Sequence, residues 1–104
     1  MGLYFTASLT KTSDGRDLAR IGFGDPARTS VIVVDAIATL DELGLQGGKA
    51  ILINGPTAVP VAMAIAHSVG HKYGYVACFD PKIGKYIVVI SHDPDARPGD
   101  EVSE

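Results

Sequence analysis

Apolar residues in this chain come in short dense runs at one spacing and in two longer stretches at another. LYFTASLT (3–10) and LARIGFG (18–24) are rich in aromatic and β-branched residues and flank KTSDGRD, a turn with a Ser-Asp-Gly core; together they predict a hairpin. The period then changes. VIVV alone favours a strand, but Val33, Ile37, Leu40 and Leu43 recur at helical spacing and Gly44 follows as a stop, so a helix is expected over 27–43. KAILIN (49–54) is a continuous apolar run, the pattern of a strand buried on both faces. GPTAVPVAMAIAHSVGHKYG gives a turn and a second helix. With Thr57 as its N-cap, Pro60 falls in the first turn, where a missing N–H costs nothing. YVACFD (75–80), the turn PKIG and KYIVVISH (85–92) predict a closing hairpin, and the polar tail carries a short edge segment near 100–102.

The order β-β-α-β-α-β-β encloses a β-α-β unit whose two strands are expected to be parallel with a right-handed crossover. The fold class is therefore a small α/β domain over 1–104, built on a mixed sheet with a C-terminal hairpin. Composition sharpens this. With 104 residues the chain is expected to be one domain, yet 46% of it is apolar and mean hydropathy is +0.20. Some of that surface is expected to pack against another copy. A net charge of −3 provides no basic field for long nucleic acid, so an anionic ligand needs a local device. Cys78 is the single cysteine; no intrachain disulfide is possible, which fits a reducing cytoplasm. The first residues show neither a signal peptide nor a spanning helix.

This topology sorts the polar residues into two poles. Asn54, Gly55, Pro56, Thr57, Asp80 and Lys82 gather at the carboxyl edge of the parallel strands, where ligands of open α/β sheets favour binding. A helix start with free N–H groups, a glycine and a lysine make an anion or nucleotide site. The same residues also read as a turn plus a cap, and Asp80-Pro81 is a good turn sequence in its own right. His67 and His71, spaced i, i+4, fall at the opposite edge, and the returning strand brings His92 there. These imidazoles either share a divalent metal or cap a helix C-terminus. Roughly six residues at ~3.3 Å each separate the poles by about 20 Å. Cys78 has no base beside it and reads as a small core residue. The chain has no nucleophile elbow, no GxxxxGK[ST] and no GxGxxG.

Asn-Gly-Pro at 54–56, Ala-His at 66–67, His71, Phe-Asp-Pro-Lys at 79–82, Ile-Ser-His at 90–92 and Pro-Gly-Asp at 98–100 occur in order at fitting intervals. Across this C-terminal half the chain resembles the small ring nucleases of type III CRISPR systems, the Csx-type family. The resemblance implies a CRISPR-associated Rossmann-like domain that binds cyclic tetra-adenylate and linearises it with manganese support, switching off the immune response. It implies homodimers that stack to tetramers or filaments, so that opposite ends of neighbouring subunits meet on one ligand. By the same resemblance Asp80 matches the catalytic aspartate and His71 the catalytic histidine. Lys82 stands where some relatives carry arginine and keeps the charge without the bidentate fork. His67, His71 and His92 are the candidate manganese ligands. Two further readings stay open: a sensor or sequestering module that binds the ring without cutting it, and a manganese-dependent RNA 3′ exonuclease.

Overall fold

The computed structural model describes residues 2–104. Among these, the chain forms β1 (Phe5–Lys11), β2 (Asp17–Phe23), α1 (Thr29–Glu42), β3 (Gly48–Asn54), α2 (Val59–Val69), β4 (Tyr73–Asp80), β5 (Lys85–Ser91) and β6 (Glu101–Val102). The six strands lie in one sheet in sequence order, β1-β2-β3-β4-β5-β6. β2, β3 and β4 are parallel neighbours, and the other pairs are antiparallel. The expected mixed sheet and element order are present, including the short edge strand. Helix α2 starts later than expected. Ala58 is its N-cap, and the Thr57 hydroxyl donates to the Ala58 carbonyl (3.2 Å) instead of capping. A cap at Thr57 would put Pro60 at the third helical position, where a capping oxygen needs an N–H that proline lacks.

Two crossovers of the same hand between strands laid down in sequence order put both helices on one side of the sheet, where they pack against each other. Ile51, Val61, Val69 and Val76 are fully buried between these layers, each side chain stabilising by about 1.5–3 kcal/mol. In α1 the buried stripe is Ile32, Ala36, Thr39 and Leu40, while Val34 and Ile37 face outward. The other side of the sheet has its own cluster, built on Leu18, Leu52, Ala77, Tyr86 and Val88. No helix covers it. Ala96 and Val102, from the chain after β5, pack there, and the Arg16 guanidinium donates to the Tyr75 hydroxyl (3.4 Å) and the Ser103 carbonyl (2.7 Å).

Polar pins lock the layers. The Asp35 carboxylate on α1 accepts from the Tyr4 and Phe5 N–H groups (2.8 and 3.0 Å), holding the start of β1. Asp17, 4% exposed, accepts from the Tyr73 hydroxyl (2.5 Å) and pairs with Lys11 (2.7 Å). Burial pushes this carboxyl up, but the bonds from Lys11 and Tyr73 outweigh it and hold the group below the usual range. Between β4 and β5 the register shifts: Ala77 pairs with Val88 and Val76 with Ile90, leaving Val89 as a bulge residue that is half exposed. No described helix is long and apolar enough to cross a membrane.

Candidate functional site at two edges of the sheet

The carboxyl edge of the parallel strands brings together the residues expected there. Asn54 ends β3, Asp80 ends β4, and the loop 55–58 leads into α2, whose first turn has no side-chain cap. Asp80 organises its turn: its carbonyl accepts from the Ile83 and Gly84 N–H groups (3.3 and 2.9 Å) and its Oδ1 accepts from the Lys82 N–H (2.9 Å). The turn role is therefore present, and it places half-buried Asp80 and exposed Lys82 at one rim. Gly55 has φ +140°, and a Cβ there would lie 1.9 Å from the Ile21 carbonyl oxygen. What its missing side chain admits is the backbone of β2, which seats the loop tightly on the sheet.

Three residues at this edge escaped the sequence reading. Arg20 on β2 is the register partner of Asn54 on β3. Tyr86, 1% exposed, accepts from Asn54 Nδ2 (3.0 Å) and donates to Glu104 Oε2 (2.8 Å). That Glu104 oxygen is 3.9 Å from an Arg20 guanidinium nitrogen. Burial pushes the Tyr86 phenol up, and the Glu104 carboxylate adds to the effect. Arg20 left one signal in the sequence: a charge at the centre of the otherwise apolar run LARIGF.

The opposite edge holds the histidines, though not as a helical pair. Helix α2 ends at Val69, so His71 sits in the turn beyond it and shares no helix face with His67. His67 lies exposed in the last turn. The pair that forms is His71 with His92, whose rings stack with centroids 5.8 Å apart and an interplanar angle of 27°. His92 Nε2 donates to the Gly70 carbonyl (3.0 Å) at the helix end. A carbonyl only accepts, so Nε2 carries the proton and Nδ1 of the neutral ring is left as the acceptor. Helix capping is thus realised, by His92.

The two edges stay apart within one chain. Five register steps separate Tyr75↔Ser91 from Asp80↔Lys85, about 17 Å along the strands. A concavity of about 440 Å³ involves none of the predicted site residues. It is an apolar groove on α1 lined by Tyr4, Ser30, Val31, Val34, Asp35 and Ala38, and its one carboxylate is engaged with backbone N–H groups. Cys78 packs against the main core; burial pushes its thiol up, away from the nucleophilic thiolate form.

The family model for CRISPR-associated protein (Cas_csx3) matches residues 27–103, well over half of the chain. The chain belongs to the Cas_csx3 family. The matched stretch contains Asn54, His71, Asp80, Lys82 and His92, the residues at the two edges, whereas Arg20 and Glu104 lie outside it. A comparison with curated proteins gives no match. The manganese implied by the Csx resemblance can be tested against the donor set. Among the described residues no group of three or more His, Cys, Asp or Glu side chains is arranged to hold a metal ion. One Cas_csx3 chain offers the stacked His71 and His92 and no third donor beside them, so the set within a single chain is incomplete.

Proposed function

We propose that this protein is a ring nuclease that binds cyclic tetra-adenylate and opens it at a site shared between protomers. One observation carries the reading: in a chain of a CRISPR-associated family, Asp80 and the His71–His92 pair occupy opposite edges of one sheet. About 17 Å of strand separates the two groups within one chain, so a site using both needs the carboxyl edge of one copy against the histidine edge of another. Exposed Val31, Val34, Val59 and Met63 on the two helices give a surface for a homodimer, and further stacking would bring the edges together.

The chemistry is transesterification. The 2′-oxygen of one ribose attacks the adjacent phosphorus in line with the P–O5′ bond. The new P–O2′ bond forms as P–O5′ breaks, leaving a 2′,3′-cyclic phosphate and a 5′-hydroxyl. Asp80 orients the 2′-hydroxyl and takes its proton, and His71 of a neighbouring copy protonates the departing 5′-oxygen. Lys82 and the 54–57 loop hold the phosphate, whose charge is spread in the transition state. A manganese ion would need ligands from beyond one chain.

Incubating the protein with cyclic tetra-adenylate, with and without manganese, and resolving the products by chromatography tests this. Linear product that disappears in Asp80→Ala and His71→Ala supports the ring nuclease. One observation favours a sensor instead: Asp80 Oδ1 is already engaged by the Lys82 N–H. Tight binding with the ring intact would decide for that reading. A linear polyadenylate control, shortened from its 3′ end, would mark an exonuclease.

A further inference from the structure

The carboxyl edge contains a carboxylate where an anionic ligand would be expected to sit. Arg20 and Asn54 are register neighbours, and their strand neighbours Leu18 and Leu52 belong to the cluster on the helix-free side of the sheet, as does Tyr86. The three side chains therefore gather on that side, at the edge that also carries Asp80 and Lys82. Together they present a guanidinium, a phenol O–H and a carboxamide. That is a donor set for an oxyanion, with the guanidinium able to bind two oxygens at once. In this structure Glu104 fills it, with Oε2 accepting from Tyr86 and facing Arg20.

Two features make this occupancy exchangeable. The Arg20–Glu104 separation is 3.9 Å and both side chains are about half exposed, 54% and 47%, so water and salt screen the pair. Tyr86, by contrast, is 1% exposed. Its hydroxyl has one proton to donate, and leaving that donor unmatched in a buried position is costly. While Glu104 takes that one proton a ligand oxygen cannot, so the two occupants exclude each other. Replacing a carboxylate by a phosphodiester leaves the local charge unchanged, which makes the exchange a direct competition.

We propose that Arg20, Tyr86 and Asn54 form a phosphodiester-binding subsite, and that the Glu104 carboxylate occupies it in the free protein and is displaced when ligand binds. The inference rests on the oligoadenylate reading for the identity of its ligand. Both residues of the ion pair lie outside the stretch matched to the family.

The test is calorimetric titration at low salt, with cyclic tetra-adenylate and with linear tetra-adenylate, of four chains: unaltered, E104Q, R20Q and R20Q/E104Q. Both positions are well exposed, and unchanged thermal unfolding will certify folding. E104Q is expected to bind about 3- to 10-fold more tightly, R20Q about 10-fold more weakly, and the gain from E104Q is expected to vanish in the R20Q background. Ring binding that ignores both substitutions overturns the subsite and leaves the ring reading standing. Linear but not cyclic oligoadenylate binding, tightened by E104Q, supports the subsite and ends the ring reading. An E104Q gain of equal size without Arg20 overturns the competition, and failure of every chain to bind either probe ends both proposals.

Discussion

The two edges of the sheet are built to opposite specifications. At the carboxyl edge Asn54, Asp80, Tyr86 and Glu104 each hold a hydrogen bond to a named partner, and the loop after β3 is wedged against β2 by a glycine. At the amino edge two exposed imidazoles stack on each other, and one is anchored by a single bond to a helix carbonyl. Apart from Glu104, the first edge is preorganised, so its geometry costs little to maintain when a ligand arrives. The second is held by fewer side-chain bonds. In the proposed ring nuclease these two rims meet between copies of the chain.

The strongest test of this contrast mixes two crippled chains. Asp80→Ala and His71→Ala should each reduce ring opening at least ~100-fold. An equimolar mixture should regain activity at roughly a quarter of the contacts, those that pair an intact Asp80 edge with an intact His71 edge. A mixture as dead as its components would show that both groups act within one chain. Next in size is Gly55→Ala. Its Cβ would collide with the Ile21 carbonyl at a positive φ, and a loss of more than ~3 kcal/mol is expected in urea unfolding. The same change at a merely flexible loop would cost far less.

Tyr73→Phe probes the pin beneath the histidine edge and should cost about 1–3 kcal/mol, because it strips a donor from buried Asp17. It should also alter the pH profile. Burial, reinforced by Asp17, pushes the Tyr73 phenol up, so the folded chain keeps a proton that the unfolded chain releases as pH passes the ordinary value of 10.0. Stability therefore falls above that pH, and the phenylalanine variant should lose Tyr73's share of the slope. On the acid side Asp17 is held below its ordinary 3.8, so its contribution is complete above that pH and is lost as pH falls through the lowered folded value. Chemical unfolding across both ranges reads the two limbs. The smallest effect belongs to Thr57→Ala. A lost N-cap would cost ~1 kcal/mol, but Thr57 caps nothing, and a change within ~0.5 kcal/mol is expected.

The element order was legible because apolar runs such as KAILIN and YVACFD are too short for helices and are bounded by turn residues. The placement of Asn54 and Asp80 at one edge followed from strand direction alone. Harder to see was which side of α1 is buried. Val33, Ile37 and Leu40 form as good an apolar series as Ile32, Ala36 and Leu40, and a helix with apolar residues on two sides does not announce which one meets its own sheet. His71 was misassigned to a helix because Gly70 and the approaching β4, which starts at Tyr73, end α2 sooner than the histidine spacing implies. Arg20, Tyr86 and Glu104 were out of reach for another reason. Their meeting depends on parallel register between β2 and β3 and on the return of the chain after β6, and neither is encoded in a local pattern.

Val89 shows how little sequence can decide where a functional group ends up. Side chains along a strand alternate like odd and even numbers, and an inserted residue switches the parity of everything after it. Val88 belongs to the helix-free cluster, yet Ile90 packs with the core under the helices. His92, two positions further, inherits the parity of Ile90 and so arrives beside Gly70 and His71. If β5 ran from Val88 to His92 in strict alternation, with no bulge at Val89, the imidazole would turn to the far side of the molecule while every residue of the motif stayed in place.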